Sequence, residues 1–130
     1  MISFEFLIGL IMNNGNIILE KSFNFALTII ELYKILQQNR EFVLSKQLLR
    51  SATSIGANVE EATAASTKKD FAYKMTLSSK EARETRYWLK LLDKSQIVEI
   101  NYSKYLEDVT ELIKILTAIV KTTQLNSTKS

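Results

Sequence analysis

The sequence predicts an all-α protein, an antiparallel up-down-up-down four-helix bundle. Three observations carry that prediction. The 130-residue chain has no proline and only three glycines (Gly9, Gly15, Gly56), so almost nothing interrupts helix. Apolar residues return every three or four positions through four long segments, the spacing that gathers them on one helical face. The connections between those segments are short, which makes successive helices antiparallel neighbours. Strand-like alternation and internal repeats are absent. With 46% hydrophobic and 24% charged residues, a chain of this length forms one domain with a real core.

The first twelve residues, MISFEFLIGLIM, are apolar but carry Glu5 and no basic flank. They are shorter than the roughly 20 residues a membrane span takes, and no small-residue cleavage site follows. Asn13-Asn14-Gly15-Asn16 reads as a turn. Residues 1–16 are therefore expected to be an N-terminal extension, with Met12 as the true start; an added turn of helix is the alternative. Intact mass of natively expressed protein separates the two.

The bundle proper is expected over residues 17–125. Helix one covers residues 17–38, with Ala26, Ile29, Ile30, Tyr33 and Leu36 as its stripe, widened by Phe23 and Leu27. Helix two covers residues 42–65, with Leu44, Leu48, Ala52, Ile55, Val59 and Ala62 facing the core. Gly56 in mid-helix marks a place where a neighbouring helix comes close. Thr67 and Asp70 form a capping-box-like start for helix three, which ends near Lys94. Helix four starts at Asn101 or Ser103 and ends near Gln124. It carries Leu106, Val109, Ile113, Leu116 and Val120, and residues 126–130 are expected to fray.

Composition excludes several function classes. The chain has no histidine and no cysteine, which removes the usual general base, the commonest metal ligands and any disulfide framework. Clusters such as Glu60-Glu61, Glu81 with Glu84, and Glu107-Asp108 with Glu111 lack the Glu-x-x-His of bundle metal sites. Phosphate-binding glycine loops and nucleophile elbows are missing as well. No catalytic residue, metal or cofactor is expected, and the cysteine-free chain fits a reducing cytoplasm. The net charge of +3 points weakly to an anionic partner.

Helix three has three faces. Phe71, Met75, Ser78, Ala82, Thr85, Leu89 and Leu92 step by fours and threes like a heptad seam. Tyr73, Leu77, Trp88 and Leu91 make a second apolar patch, a surface expected to bind another copy of the chain. Between them Lys80, Arg83, Arg86 and Lys90 lay positive charge along about 15 Å of helix, with Tyr87 among them. Such a row neutralises phosphates, and a tyrosine in it stacks on an unpaired base. The other reading is a solvated face, partly answered by a Lys80–Glu84 pair. On helix two Arg50, Ser54, Asn58 and Glu61 flank the apolar face. They make either a recognition surface or, the preferred reading, a hydrogen-bonded seam in which Glu61 or Glu81 answers Arg50.

These residues carry a family resemblance. Residues 44–62 (LSKQLLRSATSIGANVEEA), Lys69-Asp70-Phe71, residues 80–85 (KEARET) and Tyr87-Trp88-Leu89 resemble the four-helix-bundle proteins encoded in intervening sequences of bacterial 23S rRNA genes. That superfamily includes the accessory variability determinant of diversity-generating retroelements. The likeness covers roughly residues 20–122. It implies a homopentamer with a basic surface, and Arg50, Asn58, Glu61, Glu81 and Arg83 fall on its polar signature. The retroelement relatives bind nucleic acid and a reverse transcriptase. The expected function is therefore a non-enzymatic oligomer that binds nucleic acid, structured RNA before DNA. The rival is a protein-interaction scaffold that binds itself and a protein partner. No membrane association is expected.

Overall fold

The computed structural model describes the backbone of residues 4–129 and the side chains of residues 17–124. Four helices follow in order: α1 (Phe4–Gln38), α2 (Leu44–Thr63), α3 (Lys68–Ser95) and α4 (Ser103–Lys129). Each packs on its neighbours in chain order and α4 returns to α1, so the helices run up, down, up, down around one core. No described helix is long and apolar enough to cross a membrane.

The buried residues fall on heptad seams. In α1 they are Ile18, Ser22, Phe25, Ile29, Leu32 and Leu36; in α2, Ser45, Leu48, Ser51, Ala52, Ile55, Val59 and Ala62. The α3 seam holds the seven residues read from its spacing, Phe71 to Leu92, all fully enclosed. Tyr102, just ahead of α4, and Val109, Leu112, Ile113, Leu116, Ile119 and Thr123 of α4 complete the core. Alternating steps of three and four keep one side of each helix toward the others, the geometry of near-parallel bundle packing.

Small hydroxyl residues sit inside these seams, and their bonds explain why. Ser78 Oγ donates to the carbonyl of Ile55 across the α2–α3 contact at 2.8 Å, and the Thr85 and Ser51 hydroxyls lie 2.9 Å apart. Small side chains let the two helices approach, and each hydroxyl finds an acceptor, so burial leaves nothing unpaired. Gly56 works the same way between α2 and α1: a Cβ there would stand 3.3 Å from Ser22 Oγ.

Both connections at one end of the bundle use left-handed residues. Arg40 (φ 61°) closes α1, with Glu41 N–H donating to Leu36 O at 2.9 Å, and Gln96 (φ 48°) closes α3. The Glu41 carboxylate then accepts from the backbone N–H groups of Val43, Leu44 and Ser45 at 3.1, 3.1 and 2.6 Å, an anion fixed at the start of α2. Thr67 caps α3 by accepting from Asp70 N–H at 3.1 Å, as its spacing predicts. Asn101 Oδ1 takes the Ser103 N–H at 2.9 Å ahead of α4.

Four expectations are corrected. The turn at Asn13–Asn16 does not form: α1 is continuous from Phe4. A run without proline keeps its backbone hydrogen bonds, and one glycine costs only about 1 kcal/mol. α4 likewise continues to Lys129 rather than ending near Gln124. α2 starts at Leu44, two residues later than expected, because Glu41 holds the preceding loop and leaves Phe42 and Val43 exposed. The α1 stripe is displaced in part: Ile29 and Leu36 are buried as expected, but Phe23, Leu27 and Ile30 lie outside, while Ile18, Phe25 and Leu32 fill the core.

Candidate nucleic-acid interface

The basic row of α3 forms because its charges occupy the arc that flanks the heptad seam on the α4 side. Lys80, Arg83 and Lys90 are exposed and Arg86 is half-buried toward α4. Among the described residues Lys80, Arg86 and Lys90 make no ion pair or side-chain hydrogen bond. Arg83 leans across to α4, its Nη2 lying 3.4 Å from Thr117 Oγ1. That contact identifies the α4 face beside the row. Lys114 and Lys121 lie three residues before and four after Thr117, hence on the same side of α4, and both are exposed. The positive surface therefore spans two helices. Sequence reading found only its α3 half, although the spacing of 114, 117 and 121 was there to be read.

Tyr87 sits among these cations with 53% of its surface exposed. Its ring meets Trp88 edge-on at 5.2 Å between centroids, which orients the phenol and leaves a face open.

Acidic residues near the row are engaged elsewhere. Arg50 reaches from α2 to Glu81 at 3.3 Å and also pairs with Glu84. The Trp88 indole N–H donates to the same Glu84 carboxylate at 3.0 Å. That indole bond, followed by the Arg50 guanidinium, holds the Glu84 carboxyl below its ordinary range, while burial opposes the shift. The expected Lys80–Glu84 pair is not made, since Glu84 turns toward α2 instead.

The polar stripe of α2 divides. Arg50 with Glu81 forms the expected seam, extended by Glu84. Glu61 does not join it and pairs with Lys74 at 2.9 Å. Ser54 donates to Arg50 O and Asn58 to Ser54 O, each bonding its own helix. Of the proposed self-association patch, Tyr73 is exposed, while Leu77, Trp88 and Leu91 are half-buried along the outer edge of α3. Among the described residues no cluster of three metal-ligating side chains occurs.

A family model described as 23S rRNA-intervening sequence protein matches residues 14–118. The chain belongs to that family. A crystal structure of a protein of unknown function from the S23 ribosomal protein family of Bacteroides thetaiotaomicron VPI-5482 is similar to this family member. It is 45% identical, with a TM-score of 0.77, and 82% of this chain and 96% of that chain are covered. Comparison with curated proteins finds no match. The family match takes in the α3 row, the Arg50 seam and Lys114, while Lys121 lies just beyond it.

Proposed function

We propose that this member of the 23S rRNA-intervening sequence family is a non-enzymatic, self-associating bundle that binds nucleic acid, structured RNA in preference to DNA, through the α3–α4 basic surface. One observation carries the reading. Lys80 and Lys90 stand on the outside of α3 and Arg86 is half-buried beside them, none with an intramolecular partner among the described residues, while the neighbouring Glu81, Glu84 and Glu61 are taken by Arg50 and Lys74. Charges left unanswered on one face are free to neutralise phosphates. Arg83 and the α4 lysines broaden that face, and Tyr87 offers a ring for an unpaired base. Repeating a weak protomer site around an oligomer raises avidity without any new contact.

The test is a titration of labelled structured RNA at low and moderate salt, with wild type beside an Arg83→Glu/Arg86→Glu double variant. Binding should fall steeply with salt. The double variant should lose at least tenfold in affinity while keeping the wild-type elution volume. Salt-independent binding, or full binding by the double variant, contradicts the reading.

A second reading, a scaffold for protein partners such as a reverse transcriptase, draws on the exposed apolar residues of α1, where Phe23 is 65% exposed. It expects no RNA binding at any salt.

A further inference from the structure

One end of the bundle holds three apolar side chains out in water. Phe42, Val43 and Ile97 are 53%, 73% and 63% exposed. Phe42 and Val43 belong to the connection between α1 and α2, and Ile97 to the connection between α3 and α4. Successive helices alternate in direction, so both connections lie at the same end. A lone exposed hydrophobic residue is ordinary. Three on the tips of two neighbouring loops form a group, and their sequence neighbours go the other way: Glu41, Ser45, Val98 and Tyr102 are all buried.

Hydrogen bonds fix both loops with these tips outward. In the first, the Glu41 carboxylate takes three backbone N–H groups at the start of α2. Gln37 Nε2 donates to Ser45 Oγ at 2.8 Å, and Ser45 Oγ donates to Glu41 O at 2.7 Å. In the second, Gln96 Nε2 donates to Asp93 O at 2.8 Å and the Tyr102 hydroxyl to Val98 O at 2.9 Å. A loop held this way cannot fold its apolar tip back, and whatever meets the tip has no loop left to order.

Positive charge rims the group. Arg40 stands two residues before Phe42, Lys46 three after Val43, and Lys94 three before Ile97, and all three are exposed. Among the described residues none of them makes an ion pair or a side-chain hydrogen bond. Glu99 is the exposed acid of this end, and Asp93 is half-buried. The free charge is therefore mainly positive, and it calls for an anionic partner that also accepts apolar side chains.

The geometry points to an anionic lipid surface, with Phe42, Val43 and Ile97 entering the boundary between headgroups and acyl chains while Arg40, Lys46 and Lys94 meet lipid phosphates. Area favours lipid over a folded protein. Four packed helices end in a square about 20 Å on a side, about 400 Å². That is half of the roughly 800 Å² each partner gives to a standard interface. A bilayer sets no such minimum, because it takes projecting side chains singly and adds the attraction of each basic residue. End-to-end contact with a second copy would set cation against cation. No described helix is long and apolar enough to cross a membrane, so the contact is with its surface alone. Sequence reading, which expects no membrane association, places Phe42 and Val43 inside helix two; their exposure follows from the later start of α2. The inference is independent of RNA binding, whose residues lie along α3 and α4.

The experiment floats the full chain with vesicles of phosphatidylcholine, alone or mixed with phosphatidylglycerol, and verifies the helices of each variant by circular dichroism. Wild type should float with the mixed vesicles and bind phosphatidylcholine alone at least tenfold more weakly. Phe42→Ser/Val43→Ser/Ile97→Ser should float with neither. Arg40→Asn/Lys46→Gln/Lys94→Gln should fall to the wild-type level on phosphatidylcholine, asparagine being chosen because residue 40 has a positive φ. Phe42→Trp in a Trp88→Phe chain reads insertion directly and serves should the serine variant unfold. Its emission should shift to the blue on the mixed vesicles and be quenched by brominated acyl chains. An indole that stays unquenched on bound vesicles overturns the inference, as does flotation of the folded serine variant. Arg83→Glu/Arg86→Glu should float like wild type; its failure to float would assign the lipid to the α3–α4 surface and overturn the inference too. A wild-type chain that ignores the mixed vesicles at low salt also overturns it, and leaves this end to a protein segment of apolar and acidic chemistry.

Discussion

Glu84 and Glu41 show how single carboxylates fix this bundle. Glu84 joins α2 to α3 through Arg50 and holds the indole of Trp88, the only tryptophan of the chain. Indole emission therefore reports the protonation of that carboxyl. Its folded-state value lies below the ordinary one, so its contribution to stability is present above about pH 4.3 and is lost as pH falls through the lower folded value. Trp88 emission should titrate with a midpoint below about 4.3, and the transition should vanish in Glu84→Gln. A midpoint at or above that value would refute the assignment. Glu41 acts on backbone instead: it is 7% exposed and answers three N–H groups at the α2 start. Glu41→Ala should cost about 2 kcal/mol in urea denaturation, because a cap is lost and buried donors are orphaned. A cost below about 0.5 kcal/mol, the low end for a lost cap, would mean water replaces the carboxylate.

At the scale of elements, Gly56 sets the distance between α1 and α2. Alanine gains about 1 kcal/mol over glycine in a helix interior. Its Cβ, however, would press on Ser22 Oγ at 3.3 Å. Gly56→Ala should therefore come out close to neutral, and Gly56→Ala with Ser22→Ala should gain about 0.5–1 kcal/mol over wild type in thermal unfolding. Gly56→Leu should lose about 2 kcal/mol or more by forcing the helices apart. The same contact explains which helices could be read from sequence. The α3 seam was fully legible, because its seven residues step by threes and fours without a break, apart from both the charged arc and the second apolar patch. α1 was legible only in part: Ile29 and Leu36 were read as core, but the seam it buries contains Ser22, so hydrophobicity favoured Phe23, Leu27 and Ile30, which lie outside. The serine belongs inside because Gly56 faces it, a fact that no single-helix pattern contains. In the candidate site, the α3 cations and Tyr87 were legible as an exposed arc. The turn of Glu84 toward Arg50 and Trp88, and the arrival of Lys114 and Lys121, depend on neighbouring helices and were not.

At the scale of the whole molecule, charge and assembly can be measured in one slope. Each phosphate contact releases counterions, so the logarithm of affinity falls linearly with the logarithm of salt concentration in proportion to the contacts made. A single protomer engaging through Lys80, Arg83, Arg86 and Lys90 should give a slope of about −3 to −4. In the proposed self-associating form, a nucleic acid long enough to span neighbouring basic surfaces would engage more than one protomer. Wild type should then show a distinctly steeper slope on a long structured RNA and the single-protomer slope on a short hairpin. If the exposed α1 stripe carries the self-association, Phe23→Asp should give the shallow slope on both, since its basic surface is intact and its neighbours are gone. Equal slopes for wild type on the two lengths would mean that copies bind independently, and assembly would then serve another purpose than avidity. The comparison separates the two properties because the α1 stripe and the α3–α4 cations lie on opposite sides of the bundle: altering one leaves the other's charge and packing untouched.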